Sequence, residues 1–173
     1  SPTPYDVADV RCVVAGGASP LPPGSYRSLG GALNHFAREV HMDEIAAQVA
    51  LDPVELRLRN LSHPRFRRVL ETAAADFGWE PHAQPNGQPS RNPERGVGIA
   101  LGLDVGSYAA TAVEINVQGK EITVRRVRAS LDCGLTVNPD GARSQVEGSI
   151  VMGLGTALYE GADKIGMERS KLE

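Results

Sequence analysis

One arginine lies where a loop passes into a segment with helical periodicity. Arg27 follows a loop over residues 16–24 that holds three prolines and three glycines, and Gly30 and Gly31 come soon after it. Backbone N–H groups at a helix N-terminus attract anions, and a guanidinium adds a fixed, forked donor. This combination suits an oxyanion or a metal-oxo group. The competing interpretation is an ordinary surface arginine.

A second segment that could do chemistry begins where a predicted strand ends. A loop of small residues over 132–139 includes Gly134 and Asn138, and Gln145 then lies one turn inside a predicted helix. The side-chain amide of glutamine both donates and accepts hydrogen bonds, which suits the edge of a heterocycle. Gly148 would let a ligand or another backbone come close. Packing between helices explains the same residues equally well.

The first part of the chain, residues 1–79, is predicted to form one strand, the arginine-bearing loop and a helical lobe. Residues 5–14 alternate weakly between polar and apolar side chains, which indicates a strand. Residues 32–50 carry apolar side chains at helical spacing, which indicates a helix.

Two further helices are predicted from local start and stop signals. Asp52 followed by Pro53 is typical of a helix start, with the aspartate as N-cap. A third helix begins near Pro64 and stops at Gly78. Five arginines lie in and around these helices, and we interpret them as a solvated helix face rather than an anion or partner contact: Arg57, Arg59, Arg65, Arg67 and Arg68.

The second part of the chain follows a proline-rich segment. Prolines recur at every fourth position within residues 80–95, which predicts a linker or a mobile loop. Residues 96–173 then begin with a period of two, which predicts a Gly-rich strand and a β-hairpin with its turn at Gly119. A change of parity near residue 125 predicts a β-bulge.

A helix that contains glycines is predicted after the hairpin, over residues 140–160. Gly148, Gly153 and Gly155 lie within it, and each costs up to about 1 kcal/mol relative to alanine. We therefore expect another backbone or a ligand to approach this helix closely. The predicted fold class is α+β, with a helical lobe, a β-hairpin and this Gly-spaced helix.

Composition and spacing exclude several classes of function. The 173 residues carry a net charge of -3, which argues against a general nucleic-acid binder. No apolar run is long enough for a transmembrane helix. Cys12, Cys133 and the four histidines lack the spacing of metal ligands, so we expect no metal held directly by this chain. The glycines of residues 96–102 lie inside a strand-like segment, which argues against a flavin- or nicotinamide-binding loop.

Taken in order, these segments resemble the molybdenum-binding subunit of the xanthine dehydrogenase and aldehyde oxidase family. The Arg-Ser-x-Gly form is similar to the isoquinoline 1-oxidoreductase β-subunit type in particular. The resemblance covers roughly residues 5–160. Four segments carry it: Arg27-Ser28-x-Gly30, residues 52–61, Val137-Asn138-Pro139 and Gln145-Val146-Glu147-Gly148.

The resemblance implies a parent protein that binds molybdopterin with molybdenum, often in bacteria as the cytosine dinucleotide form. In that family a molybdenum-bound hydroxide attacks an electron-poor carbon of an N-heterocycle or an aldehyde. Electrons leave through an iron–sulfur subunit or domain, while the protein supplies positioning and electrostatics. By motif, Arg27 would face the molybdenum and substrate pocket. Gln145, Gly134, Asn138 and Gly148 would bind or line the cofactor.

The chain also departs from the family pattern. The family's general base is a glutamate in a downstream Gly-x-Gly-Glu motif, which is absent here, and Glu147 is not its equivalent. We therefore expect a fragment of a longer subunit, inactive alone, without retained cofactor and inclined to self-associate. The alternative is a non-catalytic binding or scaffold module with the same fold. The compartment is left open, with the cytoplasm favoured over the periplasm.

Overall fold

The computed structural model describes residues 3–16, 24–25, 27–81 and 94–160. In this part of the chain, four helices and one three-stranded antiparallel sheet confirm the predicted α+β fold. The elements, in chain order, are α1 (Gly31–Gln48), α2 (Pro53–Arg59), α3 (Pro64–Phe77), β1 (Arg95–Asp104), β2 (Ser107–Gln118), β3 (Glu121–Asp132) and α4 (Pro139–Leu158).

The chain divides into two compact units. The first, here called the sheet unit, comprises Ser1–Ala8 and Gly30–Leu135, and the second, the α4 unit, comprises Asp9–Leu29 and Thr136–Glu173. The domain boundaries drawn from the sequence stay a prediction. Most of the predicted linker and most of the predicted proline-rich loop before Arg27 lie outside the described residues.

The sheet is a meander in which β2 pairs with β1 on one side and with β3 on the other. Glu114 faces Arg126 across the second pairing, but its neighbour Ile115 faces Val124. Arg125 is therefore the extra residue of a β-bulge, which confirms the bulge predicted from the change of parity.

The core of the sheet unit lies between α3 and the sheet. α3 contacts β2 and β3, and its predicted stop is confirmed by Gly78, whose φ of 68° suits a left-handed C-cap. The core includes five residues of α3 and four of the sheet: Phe66, Val69, Leu70, Ala73 and Phe77, with Ile99, Leu101, Ala110 and Ala112.

The strand predicted over residues 5–14 is wrong. Residues 3–16 form no strand, and Val10 and Val14 are exposed. A strand requires a neighbouring strand to accept and donate its backbone hydrogen bonds. The N–H of Asp6 instead donates to the carbonyl of Asn60, in the join between α2 and α3.

The start of α2 is confirmed as predicted. Asp52 is buried, and its carboxylate accepts hydrogen bonds from the N–H groups of Val54 at 2.9 Å and Glu55 at 3.2 Å. The indole Nε1 of Trp79 donates to the same carboxylate at 3.1 Å. Asp52 therefore links the first turn of α2 to the segment that follows α3.

We expect Asp52→Ala to lower the free energy of unfolding by about 2 kcal/mol, because it removes an N-cap and a buried acceptor. Trp79 is the sole tryptophan of the chain, so its emission should also change as its indole N–H loses this partner. Urea unfolding followed by fluorescence measures both effects. Asp76→Ala, at an exposed position on α3, is the control and should change stability by less than about 0.5 kcal/mol.

Candidate functional site

α4 carries three of the predicted site residues. The side chain of Asn138 caps the helix by accepting from the N–H of Gly141 at 2.9 Å, and Pro139 occupies the first turn. Gln145 is the seventh residue of α4, nearly two turns from its start rather than one. Asn138 therefore has a structural role that the sequence analysis did not anticipate.

One side of α4 is open and polar. At about 100° per residue, Gly141, Gln145, Gly148 and Gly155 lie on the same side of the helix. No described atom lies within 4 Å of the position of a Cβ at Gly148 or Gly155. The amide of Gln145 has no hydrogen-bond partner among the described residues. The close neighbour expected at these glycines is thus not supplied by the described part of this chain.

The whole of α4 is unusual in that none of its described residues is buried. It is apolar on several sides, and Val151 is 71% exposed. No helix in the described ranges is long and apolar enough to cross a membrane.

The loop after β3 holds the fourth predicted residue, Gly134, which belongs to the sheet unit. Its φ of 78° lies in the left-handed region that glycine adopts without strain. Its N–H donates to the carboxylate of Asp132 at 3.1 Å. Hydrogen bonds from Arg65, followed by that of Gly134, hold the pKa of Asp132 well below its usual range.

Arg27, the fifth predicted residue, is exposed and belongs to the α4 unit. The next two residues, Ser28 and Leu29, have φ values of 74° and 50°, which are strained for residues other than glycine. Strain of this kind concentrates at functional sites. Among the described residues, no hydrogen bond or ion pair involves the Arg27 side chain or joins it to α4.

The five arginines interpreted as a solvated face differ from one another. Arg59 and Arg68 are exposed, as predicted, but Arg57 is fully buried, which contradicts the interpretation for this residue. Its guanidinium donates to Glu39 at 3.0 Å and to Asp43 at 2.7 Å. A buried charge is tolerated here because oppositely charged groups and hydrogen bonds compensate it.

Glu39 is the centre of a buried network that the sequence analysis missed. Its carboxylate accepts from Tyr5 Oη at 3.0 Å, from Arg38 Nε at 2.9 Å, from Arg57 and from the N–H of Leu101 at 3.1 Å. Burial, and then the charge of Glu39, raise the pKa of Tyr5, which therefore remains a hydrogen-bond donor. These partners lie far apart in sequence, so no spacing rule could have indicated them.

The predicted site residues suit an organic cofactor better than a bare metal ion. Within the described residues, no group of three or more His, Cys, Asp or Glu could hold a metal. The predicted residues instead offer a free amide, a left-handed glycine, open glycines on a helix and a guanidinium. Such groups match the heterocyclic edges and phosphates of a molybdopterin, so the residues present fit that group.

Comparison with known proteins gives three informative relatives. The chain is 32% identical over 169 residues to a nicotinate dehydrogenase subunit of Pseudomonas putida, which covers 91% of this chain and 14% of that protein. It is 33% identical over 141 residues to the β-subunit of isoquinoline 1-oxidoreductase of Brevundimonas diminuta, with coverages of 78% and 17%. It is 42% identical over 52 residues to indole-3-acetaldehyde oxidase of Arabidopsis thaliana, with coverages of 30% and 4%. No solved structure matches the chain.

Two family models match as well. Both describe a molybdopterin cofactor-binding domain, one over residues 37–167 and the other over residues 1–61. The first match covers most of the chain and includes all of α4. The resemblance drawn from the motifs is thereby confirmed, and the chain belongs to the molybdopterin cofactor-binding domain family of the xanthine dehydrogenase and aldehyde oxidase type.

Proposed function

We propose that this chain is part of a molybdenum hydroxylase that oxidatively hydroxylates an N-heterocycle or an aldehyde. The observation that carries the proposal is the open side of α4, which lies within the matched cofactor-binding region and bears a free amide and two unobstructed glycines. The chain spans less than a fifth of the length of its two longest-matching relatives. The activity proposed is therefore that of the whole protein.

Each site residue has a proposed role set by its chemistry. Gln145 pairs through its amide with a heterocyclic edge of the cofactor, and Gly148 gives that cofactor room against the helix. Gly134 presents loop backbone toward the cofactor, and Asn138, whose oxygen caps α4, retains its amide N–H groups for the same ligand. Arg27 orients an anionic or polar substrate group. The bound molybdenum cofactor supplies the oxygen transfer and the redox change.

The names of the relatives support the finer parts of the proposal. Two of them are called subunits, and their printed substrates are nicotinate and isoquinoline, both N-heterocycles. We propose the cytosine dinucleotide form of the cofactor and an iron–sulfur partner that removes electrons. The chain alone is proposed to lack turnover, to lose the cofactor and to self-associate through exposed apolar residues of α4 such as Val151.

The proposal is tested by assaying the full-length protein with its redox partner on panels of azaarenes and aldehydes, using an artificial electron acceptor. We expect turnover by the full-length protein and none by the 173-residue chain. Turnover by the chain alone would overturn the inactivity proposed for it. A full-length protein that binds the cofactor but oxidises no member of either panel would favour the alternative, a non-catalytic binding module.

A further inference from the structure

A charged clamp joins the start of α3 to the end of β3 within the sheet unit. Arg65 Nε donates to Asp132 Oδ2 at 2.9 Å, and Arg65 Nη2 donates to Asp132 Oδ1 at 2.6 Å. Nη2 also lies 3.3 Å from the carbonyl oxygen of Asp132. A guanidinium that grips both carboxylate oxygens fixes orientation as well as distance.

The clamp extends to the loop that carries Gly134. Asp132 Oδ1, which receives the bond from Arg65, also accepts from the N–H of Gly134 at 3.1 Å. Arg65 Nη2 lies 3.9 Å from the position of a Cβ at Gly134, so the guanidinium packs against this turn. One carboxylate therefore transmits the position of α3 to the backbone of the loop.

Arg65 is itself held in place by an aromatic cluster. Its guanidinium lies over the ring of Tyr108, 4.4 Å from the centroid. Tyr108 stacks on His63 at 4.7 Å and meets the buried ring of Phe66 edge to face at 4.8 Å. Tyr108 is also the residue of β2 that pairs with Asp132 of β3. Both ends of the clamp therefore rest on ordered structure.

We propose that Arg65 is a positioning residue that acts through Asp132 to hold the backbone of residues 133–135 in the conformation that receives the cofactor. The final step of this inference rests on the proposed function, whereas the ordering of the loop does not. The sequence analysis interpreted Arg65 as part of a solvated face, because its partner lies 67 positions away. The role assigned here is to present Gly134, and it involves no contact with the reacting atoms.

The loop-ordering step is tested by the backbone order parameter of Gly134 in the 173-residue chain. We expect a value near 0.85 in the unsubstituted chain and below about 0.6 in Arg65→Gln, because the loop loses its anchor. Arg65→Lys keeps the charge without the fork and should lie between them. Arg59→Gln is the matched control, since Arg59 makes an exposed ion pair with Glu55 on the neighbouring helix. An unchanged order parameter in Arg65→Gln overturns the clamp.

The cofactor step is tested by the molybdenum content of the full-length protein carrying the same substitutions. Outer-shell partners of metal sites typically contribute about 10- to 100-fold in affinity, so Arg65→Gln should lower the molybdenum content about tenfold while Arg59→Gln leaves it unchanged. A mobile loop with full molybdenum content overturns the positioning role but leaves the proposed function standing. Absence of molybdenum from the unsubstituted full-length protein overturns the proposed function itself and the final step with it.

Discussion

Replacing Arg57 by methionine is expected to lower the free energy of unfolding by about 3–5 kcal/mol, the usual cost of removing one partner from a buried ion pair. Methionine occupies a similar volume but donates no hydrogen bond. Glu39 would keep Tyr5 and the N–H of Leu101 as partners, yet its buried charge would lose its fully buried counter-ion. The network joins α1, α2 and β1, so the loss should affect the whole sheet unit.

Urea unfolding of the chain measures this effect, with Arg59→Met as the control. Arg59 is exposed and pairs with Glu55 one turn away, so its loss should cost less than about 0.5 kcal/mol. If Arg57→Met does not fold, Arg57→Lys keeps the charge and should cost about 1–3 kcal/mol through lost hydrogen bonds. A change below about 1 kcal/mol in Arg57→Met would show that the network contributes little.

Gly148→Ala is expected to have opposite effects on the chain and on the full-length protein. In the chain alone, alanine should raise stability by up to about 1 kcal/mol, since glycine is a poor helix former and no described atom obstructs the new methyl group. In the full-length protein, the same methyl group should meet the cofactor. Overpacking by one methyl group costs about 1–3 kcal/mol, which corresponds to roughly a tenfold loss of bound cofactor.

Gly153→Ala separates these two effects. Gly153 is also unobstructed, but it lies about 140° around α4 from Gly148. It should therefore stabilise the chain to a similar extent and leave the cofactor content of the full-length protein unchanged. Thermal unfolding and pterin fluorescence after denaturation provide the two measurements. Equal cofactor content in both variants would contradict the assignment of the Gln145 side of α4 to the cofactor.

Local signals explain why much of the fold could be predicted from the sequence. Asp52 with Pro53 specifies a helix start through hydrogen bonds to the next two N–H groups, and Gly78 specifies a stop through its own φ. The bulge at Arg125 follows from a change of parity within one strand. Each of these features depends on residues a few positions apart.

Features that depend on distant partners could not be predicted in this way. Glu39 and Arg57 form their pair across two helices, and Arg65 finds Asp132 across 67 positions. The weakly alternating residues 5–14 lacked a neighbouring strand, which no local pattern reveals. For the site, the motifs indicated Gln145 and Gly148, and the structure adds that both are open to a ligand.

The most direct measurement is the molybdenum and pterin content of the purified full-length protein, with and without Gln145→Ala. We predict near-stoichiometric molybdenum in the unsubstituted protein and about a tenfold lower content in Gln145→Ala at an unchanged melting temperature. Ser144→Ala, at the exposed neighbouring position, should retain the full content. Absence of molybdenum from the unsubstituted protein, or equal content in Gln145→Ala, would contradict the proposal that this side of α4 binds a molybdopterin.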